Sequence, residues 1–117
     1  MDKKILLVDD AAFMRMLIRS TLTTNGYTNI LEAADGEIVV STYAAEKPDL
    51  VIMDITMPNK TGIEALKEIK EIDPGAKVVM CSAMGQEAMV VEAIKLGALD
   101  FIEKPFKAER ILQTVQK

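Results

Sequence analysis

Leu50-Val51-Ile52-Met53-Asp54-Ile55-Thr56-Met57-Pro58 decides the fold. Its first half is a near-continuous apolar run, rich in β-branched residues and bounded by Pro48 and Pro58. Such a run predicts a strand buried on both faces, as in a parallel sheet with helices above and below. It delivers one carboxylate, Asp54, to the strand's C-terminal end, where open α/β sheets bind ligands. The plainer reading of Asp54 is a cap on the following turn.

Outward from that strand, strand-like and helix-like segments alternate along the whole chain. Toward the N-terminus, Lys4 to Asp9 is a strand ending in the pair Asp9-Asp10. Met14, Leu17, Ile18 and Leu22 then recur at helical spacing from Ala11 to Asn25, and Gly26 stops the helix. Asn29 to Ala34 reads as a short strand closed by Asp35-Gly36. The piece Glu37 to Glu46 is ambiguous, because Ile38-Val39-Val40 has strand chemistry, but the alternation on either side favours helix. Toward the C-terminus, the spacing predicts an amphipathic helix with Ile63, Leu66, Ile69 and Ile72 inward, broken by Asp73-Pro74-Gly75. Lys77 to Ser82 is a fourth strand, Gly85 to Leu96 a helix, Leu99 to Glu103 a fifth strand, and Phe106 to Gln116 a last helix.

This (βα)5 pattern predicts a flavodoxin-like α/β fold: a doubly wound, five-stranded parallel sheet of order 2-1-3-4-5, in one domain over residues 1–117. A barrel would need about twice the chain.

Composition narrows the function. The chain has 117 residues, half of them apolar, with 14 basic against 18 acidic residues for a net charge of −4. No basic cluster suits nucleic acid, and no apolar stretch is long enough to span a bilayer. Met1-Asp2-Lys3-Lys4 leads directly into a strand, so neither signal peptide nor anchor is expected. The lone Cys81 cannot form an internal disulfide and suits a reducing, cytoplasmic setting as a buried, inert thiol. Histidine is absent, which excludes histidine triads and leaves only oxygen-ligated metal sites, those of Mg²⁺, Mn²⁺ or Ca²⁺. Most of the eight methionines read as core filler, with Met84 and Met89 as the exceptions, near the exposed start of the fourth helix.

In the 2-1-3-4-5 order, Asp9, Asp10 and Asp54 meet at the topological switch point, with Ser82 and Lys104 on the same rim. Three carboxylates at close range repel unless a cation joins them, and Mg²⁺ fits such oxygen donors. A carboxylate nucleophile, Mg²⁺, a lysine and a hydroxyl are the parts needed for phosphoryl transfer onto Asp54. Each part has a plainer use: Asp9-Asp10 could cap the first helix, Ser82 the fourth, and Lys104 could be a solvated strand end.

The stretches Val8 to Met16, Met53 to Pro58, Cys81 to Gln86 and Asp100 to Phe106 resemble the receiver domain of two-component response regulators. They are most similar to the stand-alone chemotaxis regulators in their Gram-positive and thermophile form. The resemblance implies that Asp54 is the phosphorylated aspartate. It implies Mg²⁺ held by Asp10, Asp54 and the Thr56 main-chain carbonyl, with Asp9 holding metal-bound water. Ser82 would be the switch hydroxyl, Lys104 the phosphoryl-contacting lysine and Phe101 the aromatic switch, and the Lys104-Pro105 bond would be cis. The implied partners are a histidine kinase as phosphodonor, a flagellar switch protein as target and a separate phosphatase. The protein would act as a monomer, and not as an enzyme beyond weak self-phosphorylation and self-dephosphorylation. Two departures stand out: Thr61 where the family often has Asp before the glycine matched by Gly62, and Phe101 in place of a tyrosine. Thr56 and Met84 stand where faster members carry water-orienting side chains. Met84 is expected to lie over the pocket, so self-dephosphorylation should be slow.

Two alternatives remain beside this one. The chain could be a receiver fragment of a larger regulator such as a transcription factor. It could also be a metal-dependent phosphohydrolase with an aspartyl intermediate, although Ala11-Ala12 leaves no general acid after the acidic pair. An FMN site is disfavoured, because Asp9-Asp10 would repel the phosphate.

Overall fold

The computed structural model describes residues 3–57 and 59–116; the expectations for Met1-Asp2 and for Pro58 as the border of the central strand lie outside them. The elements follow in strict alternation: β1 (Ile5–Val8), α1 (Ala12–Thr24), β2 (Ile30–Ala33), α2 (Gly36–Glu46), β3 (Leu50–Asp54), α3 (Gly62–Ile72), β4 (Val78–Ser82), α4 (Glu87–Lys95), β5 (Asp100–Glu103) and α5 (Ala108–Val115). The strands pair in parallel in the order β2-β1-β3-β4-β5. This is the doubly wound topology expected of the sequence.

β1, β3 and β4 are buried along their whole length. Their alternating side chains feed two separate cores. On one face Leu6, Val8, Val51, Met53 and Met80 pack with α2, α3 and α4 residues such as Tyr43, Leu66 and Ala93. On the other, Ile5, Leu7, Ile52 and Val79 pack with Ile18 and Leu22 of α1 and Ile111 and Val115 of α5. The ambiguous Ile38-Val39-Val40 segment is helical. Asp35 accepts hydrogen bonds from the main-chain N–H groups of Glu37 and Ile38, so an N-cap outweighs β-branched propensity. α3 starts with a reciprocal capping box in which Glu64 N–H donates to the Thr61 hydroxyl and Thr61 N–H to the Glu64 carboxylate.

Three packing expectations are corrected. Ile72 is 53 % exposed, and Ala65 takes its place in the core, because the inward stripe of α3 runs through residues 62, 65, 66 and 69. Leu17 is exposed on α1, where Ile18 and Leu22 carry the packing. Of the described methionines only Met53, Met57 and Met80 are buried; Met14 is half-buried, and Met16, Met84 and Met89 are exposed.

Candidate functional site

Register builds the site before any side chain is considered. Val8 pairs with Met53, so Asp9 leaves β1 beside Asp54 at the end of β3. Asp54 pairs with Cys81, and Ile55 N–H continues the ladder to the Cys81 carbonyl at 3.0 Å. Ser82 pairs with Glu103, and Lys104 N–H donates to the Ser82 carbonyl at 2.7 Å. Gly62 closes against this end of the sheet. Its N–H donates to the Ile55 carbonyl at 2.6 Å, and a Cβ there would lie 2.2 Å from the Asp54 carbonyl oxygen.

The side chains converge accordingly. One carboxylate oxygen each of Asp9, Asp10 and Asp54 lies within 4.8 Å of the others. Lys104 Nζ is 3.1 Å from Asp9 Oδ2 and 3.4 Å from Asp54 Oδ2. Asp9 is 3 % exposed and Asp54 9 %, whereas Asp10 faces solvent. Burial pushes the Asp54 carboxyl above its ordinary value; Lys104 opposes this, Asp9 adds to it, and a hydrogen bond from Thr56 N–H opposes it again. Burial works against the charge on Lys104, but Asp54 and Asp9 outweigh it and raise the ammonium above its ordinary value. Three carboxylates around one ammonium leave negative charge in excess, all of it on hard oxygen donors. That donor set fits a divalent cation. Asp9 has both oxygens engaged, Oδ1 by Ala11 N–H at 2.9 Å and Oδ2 by Lys104, so an indirect role through water suits it better than a direct one.

Asp54 also accepts from Thr56 N–H, the turn-capping contact of the plainer reading, but the plainer uses of Asp10, Ser82 and Lys104 fall away. The N-cap of α1 is Ala11 and that of α4 is Gln86, both without a side-chain cap, so neither Asp10 nor Ser82 caps a helix. Lys104 is ion-paired, not a solvated strand end. Ser82 is buried at the rim, and the Lys104–Pro105 peptide is cis. Thr61 serves as the α3 N-cap, a task that the departure from Asp leaves intact.

Other expectations shift. Met84 is 83 % exposed and does not cover the pocket. The contact at Thr56 comes instead from Gln86, whose Nε2 donates to the Thr56 hydroxyl at 2.8 Å. Phe101 stands 38 % exposed on the outer side of β5, lining a groove of about 590 Å³ with Ser82, Val90, Val91 and Ile94. Sequence reasoning missed Gln86, and it missed Arg15, whose guanidinium donates to the Asp9 carbonyl and, through Nε, to Glu32 at 2.8 Å. Arg15 lies on α1 one turn past the acidic pair, a spacing that could have drawn notice. Nothing in the local pattern marks Gln86.

Known proteins share this fold and much of its sequence. A family model described as the response regulator receiver domain matches residues 5–116. The chain is 56 % identical to the chemotaxis protein CheY of Bacillus subtilis (strain 168) and 55 % identical to that of Thermotoga maritima, in each case over all of this chain and 98 % of the relative. Among solved structures it superposes with a TM-score of 0.92 and 39 % identity on a chain of the CheX-CheY-BeF3-Mg+2 complex from Borrelia burgdorferi, covering 97 % of this chain and 87 % of that one.

Proposed function

The chain belongs to the response regulator receiver family, and we propose that it is a phosphorylation-activated switch of chemotaxis that takes its phosphoryl group on Asp54. The observation that carries this is a largely buried carboxylate at the end of the central strand, 3.4 Å from Lys104 and within 4.8 Å of two further acids.

The donor is the phosphohistidine of a kinase. An Asp54 oxygen bonds to phosphorus while the bond from phosphorus to the histidine nitrogen breaks; the electron pair stays on that nitrogen, which takes up a proton. Asp10, Asp54 and the Thr56 main-chain carbonyl would hold Mg²⁺, with Asp9 acting through water. Bound there, the ion neutralises charge on the phosphoryl oxygens. Lys104 brings a second positive charge to the same point, and the Ser82 hydroxyl stands at the rim to follow the phosphoryl group. Filling of the space beside Ser82 by Phe101 then transmits the change to α4, β5 and α5.

The target in this reading is a flagellar switch protein. A separate phosphatase is the second partner, for which the solved CheX–CheY pairing is the supporting relative. Apart from weak self-phosphorylation and self-dephosphorylation the protein catalyses nothing, and it works as a cytoplasmic monomer; among the described residues no helix is long and apolar enough to cross a membrane.

Intact-mass measurement after incubation with acetyl phosphate tests the reading. One phosphoryl group should be gained with Mg²⁺ and none in chelator. A gain that survives Asp54→Ala would overturn it.

A further inference from the structure

Gln86 joins neither the core nor the ion pairs of the acidic rim, yet both ends of its carboxamide are committed there. Oε1 accepts from Ala83 N–H at 2.6 Å, and Nε2 donates to the Thr56 hydroxyl at 2.8 Å. A main-chain N–H can only donate, so the orientation of the amide is fixed. Asp54 and Cys81 are register partners, so Thr56 and Ala83 each lie two residues beyond the pair, on neighbouring strand extensions. The carboxamide thus ties the two loops that flank Asp54. Gln86 is half-buried, while Ala83, Met84, Gly85 and Glu87 around it are exposed. It occupies the N-cap position of α4 but makes no side-chain cap bond to that helix. Its hydrogen bonding is spent across the rim.

A phosphoryl group on Asp54 would bring three strong acceptor oxygens to this rim. Lys104 Nζ stands 3.4 Å from Asp54 Oδ2, and the Ser82 hydroxyl and the Ala83 N–H follow on the strand end next to Asp54, where they are the candidate donors to such a group. Gln86 Oε1 holds one of these, Ala83 N–H. A charged oxygen is a stronger acceptor than a neutral amide oxygen, so the phosphoryl group should win the contest for that donor.

We propose that Gln86 is a latch across the mouth of the acceptor site, closed in the unmodified protein and displaced from Ala83 when Asp54 is phosphorylated. It is a positioning residue: it slows loading by keeping the Ala83 donor occupied, and its release frees the N-cap residue of α4. The inference rests on the phosphoacceptor reading of Asp54.

The test compares the rate of phosphorylation by acetyl phosphate and Mg²⁺, followed by mass, in the wild type, Gln86→Ala, Thr56→Val and the double variant. In that reaction an Asp54 oxygen bonds to phosphorus, the bond from phosphorus to the acetate oxygen breaks, and acetate leaves with the electron pair. Thr56→Val cuts the other end of the latch while keeping the main-chain atoms of residue 56. Loss of one or two ordinary hydrogen bonds should speed loading by about fivefold in each single variant. The double variant should be no faster than Gln86→Ala. Exchange of the Ala83 amide hydrogen, read by NMR in the unmodified protein, should also rise in Gln86→Ala. A merely structural tie would lower the melting temperature and leave the loading rate alone. Unchanged or slower loading in the folded variants overturns the latch, and Thr56→Val decides alone if Gln86→Ala does not fold. If the wild type gains no phosphoryl group, the acceptor reading itself has failed.

Discussion

The two ends of the sheet carry the same kinds of residue and treat them differently. At the N-terminal end, acids meet donors one by one. Asp49 accepts from Lys4 N–H at 2.7 Å, Glu46 pairs with Lys4 Nζ at 3.4 Å, and Asp73 accepts from the Tyr43 hydroxyl at 2.8 Å and from Gly75 N–H at 3.0 Å. At the C-terminal end, Asp9 and Asp54 share the ammonium of Lys104, and Asp10 adds a third carboxylate beside them. Matched charge holds a fold together; surplus charge of one sign is tolerated where a ligand balances it. The imbalance therefore marks the rim where a ligand of opposite charge would fit, and each of the following experiments probes one side of it.

The largest contrast is all or nothing. Asp54→Ala should abolish phosphoryl uptake from acetyl phosphate, whereas Tyr43→Phe, at the opposite end, should leave the extent of uptake unchanged. Equal loss in both, read by intact mass, would mean that the two ends do not differ in the way their charges suggest.

Next in size is backbone fit. A Cβ at Gly62 would meet the Asp54 carbonyl oxygen at 2.2 Å, backbone that cannot swing aside, whereas one at Gly75 would meet only Asp73 Oδ1 at 3.5 Å. Gly62→Ala should cost about 3 kcal/mol in urea unfolding, the upper end for overpacking. Gly75→Ala should fall within about 0.5 kcal/mol of wild type, as for a surface change that touches nothing. Comparable losses would show that the C-terminal rim is no more tightly built than the other.

The third experiment predicts opposite signs. The folded-state pKa of Asp54 is raised, first by burial, so its favourable contribution is full below the unfolded pKa and is lost as pH rises through the folded one. At pH 7, without metal, the ionised carboxylate costs stability, and Asp54→Asn should melt higher than wild type. That gain should shrink as pH falls toward about 4, the ordinary carboxylate range. In chelator at pH 7, Asp10→Asn should also melt higher, by less, because it removes one of the three neighbouring carboxylates but an exposed one. Tyr43→Phe should instead lower stability by about 1 kcal/mol, the usual net value of one hydrogen bond. A lower melting temperature for Asp54→Asn in chelator would contradict the surplus-charge account.

How much of this the sequence disclosed depends on the range of the interaction. Strand order, and with it the meeting of Asp9, Asp54, Ser82 and Lys104, follows from apolar runs and from the handedness of crossovers, so it was legible. The helix at Ile38-Val39-Val40 was not clear from propensity, because the deciding contact is the Asp35 cap, in a residue pair that also reads as a strand's end. Ala65 and Ile72 exchange places because the buried stripe is set by where α2 and α4 press on α3, which no single-helix pattern contains. Gln86 and Met84 were illegible for the same reason. Both sit in the loop after β4, and only the path of that loop turns one across the rim and the other into solvent.

The smallest expected effect measures how sharply the acidic rim gives way to dry core. Cys81 is the register partner of Asp54, one residue below the rim, yet only 2 % exposed. Burial pushes its thiol up to about 12, Lys104 drawing it down and Asp54 and Asp9 adding to the rise. At pH 8 that leaves about one molecule in ten thousand as thiolate, against roughly a quarter for a free cysteine of pKa about 8.5. Alkylation by iodoacetamide should therefore be nearly undetectable in the native protein and complete in urea. What little occurs should proceed through opening of β4, so its rate should fall in any variant that stabilises the fold. Asp54→Asn provides the informative case. If surplus charge at the rim loosens the strand ends, removing one carboxylate in chelator should slow alkylation of the neighbouring thiol. Rapid alkylation in native wild type would mean that the end of β4 is open to solvent and that the boundary between the charged rim and the core is not sharp.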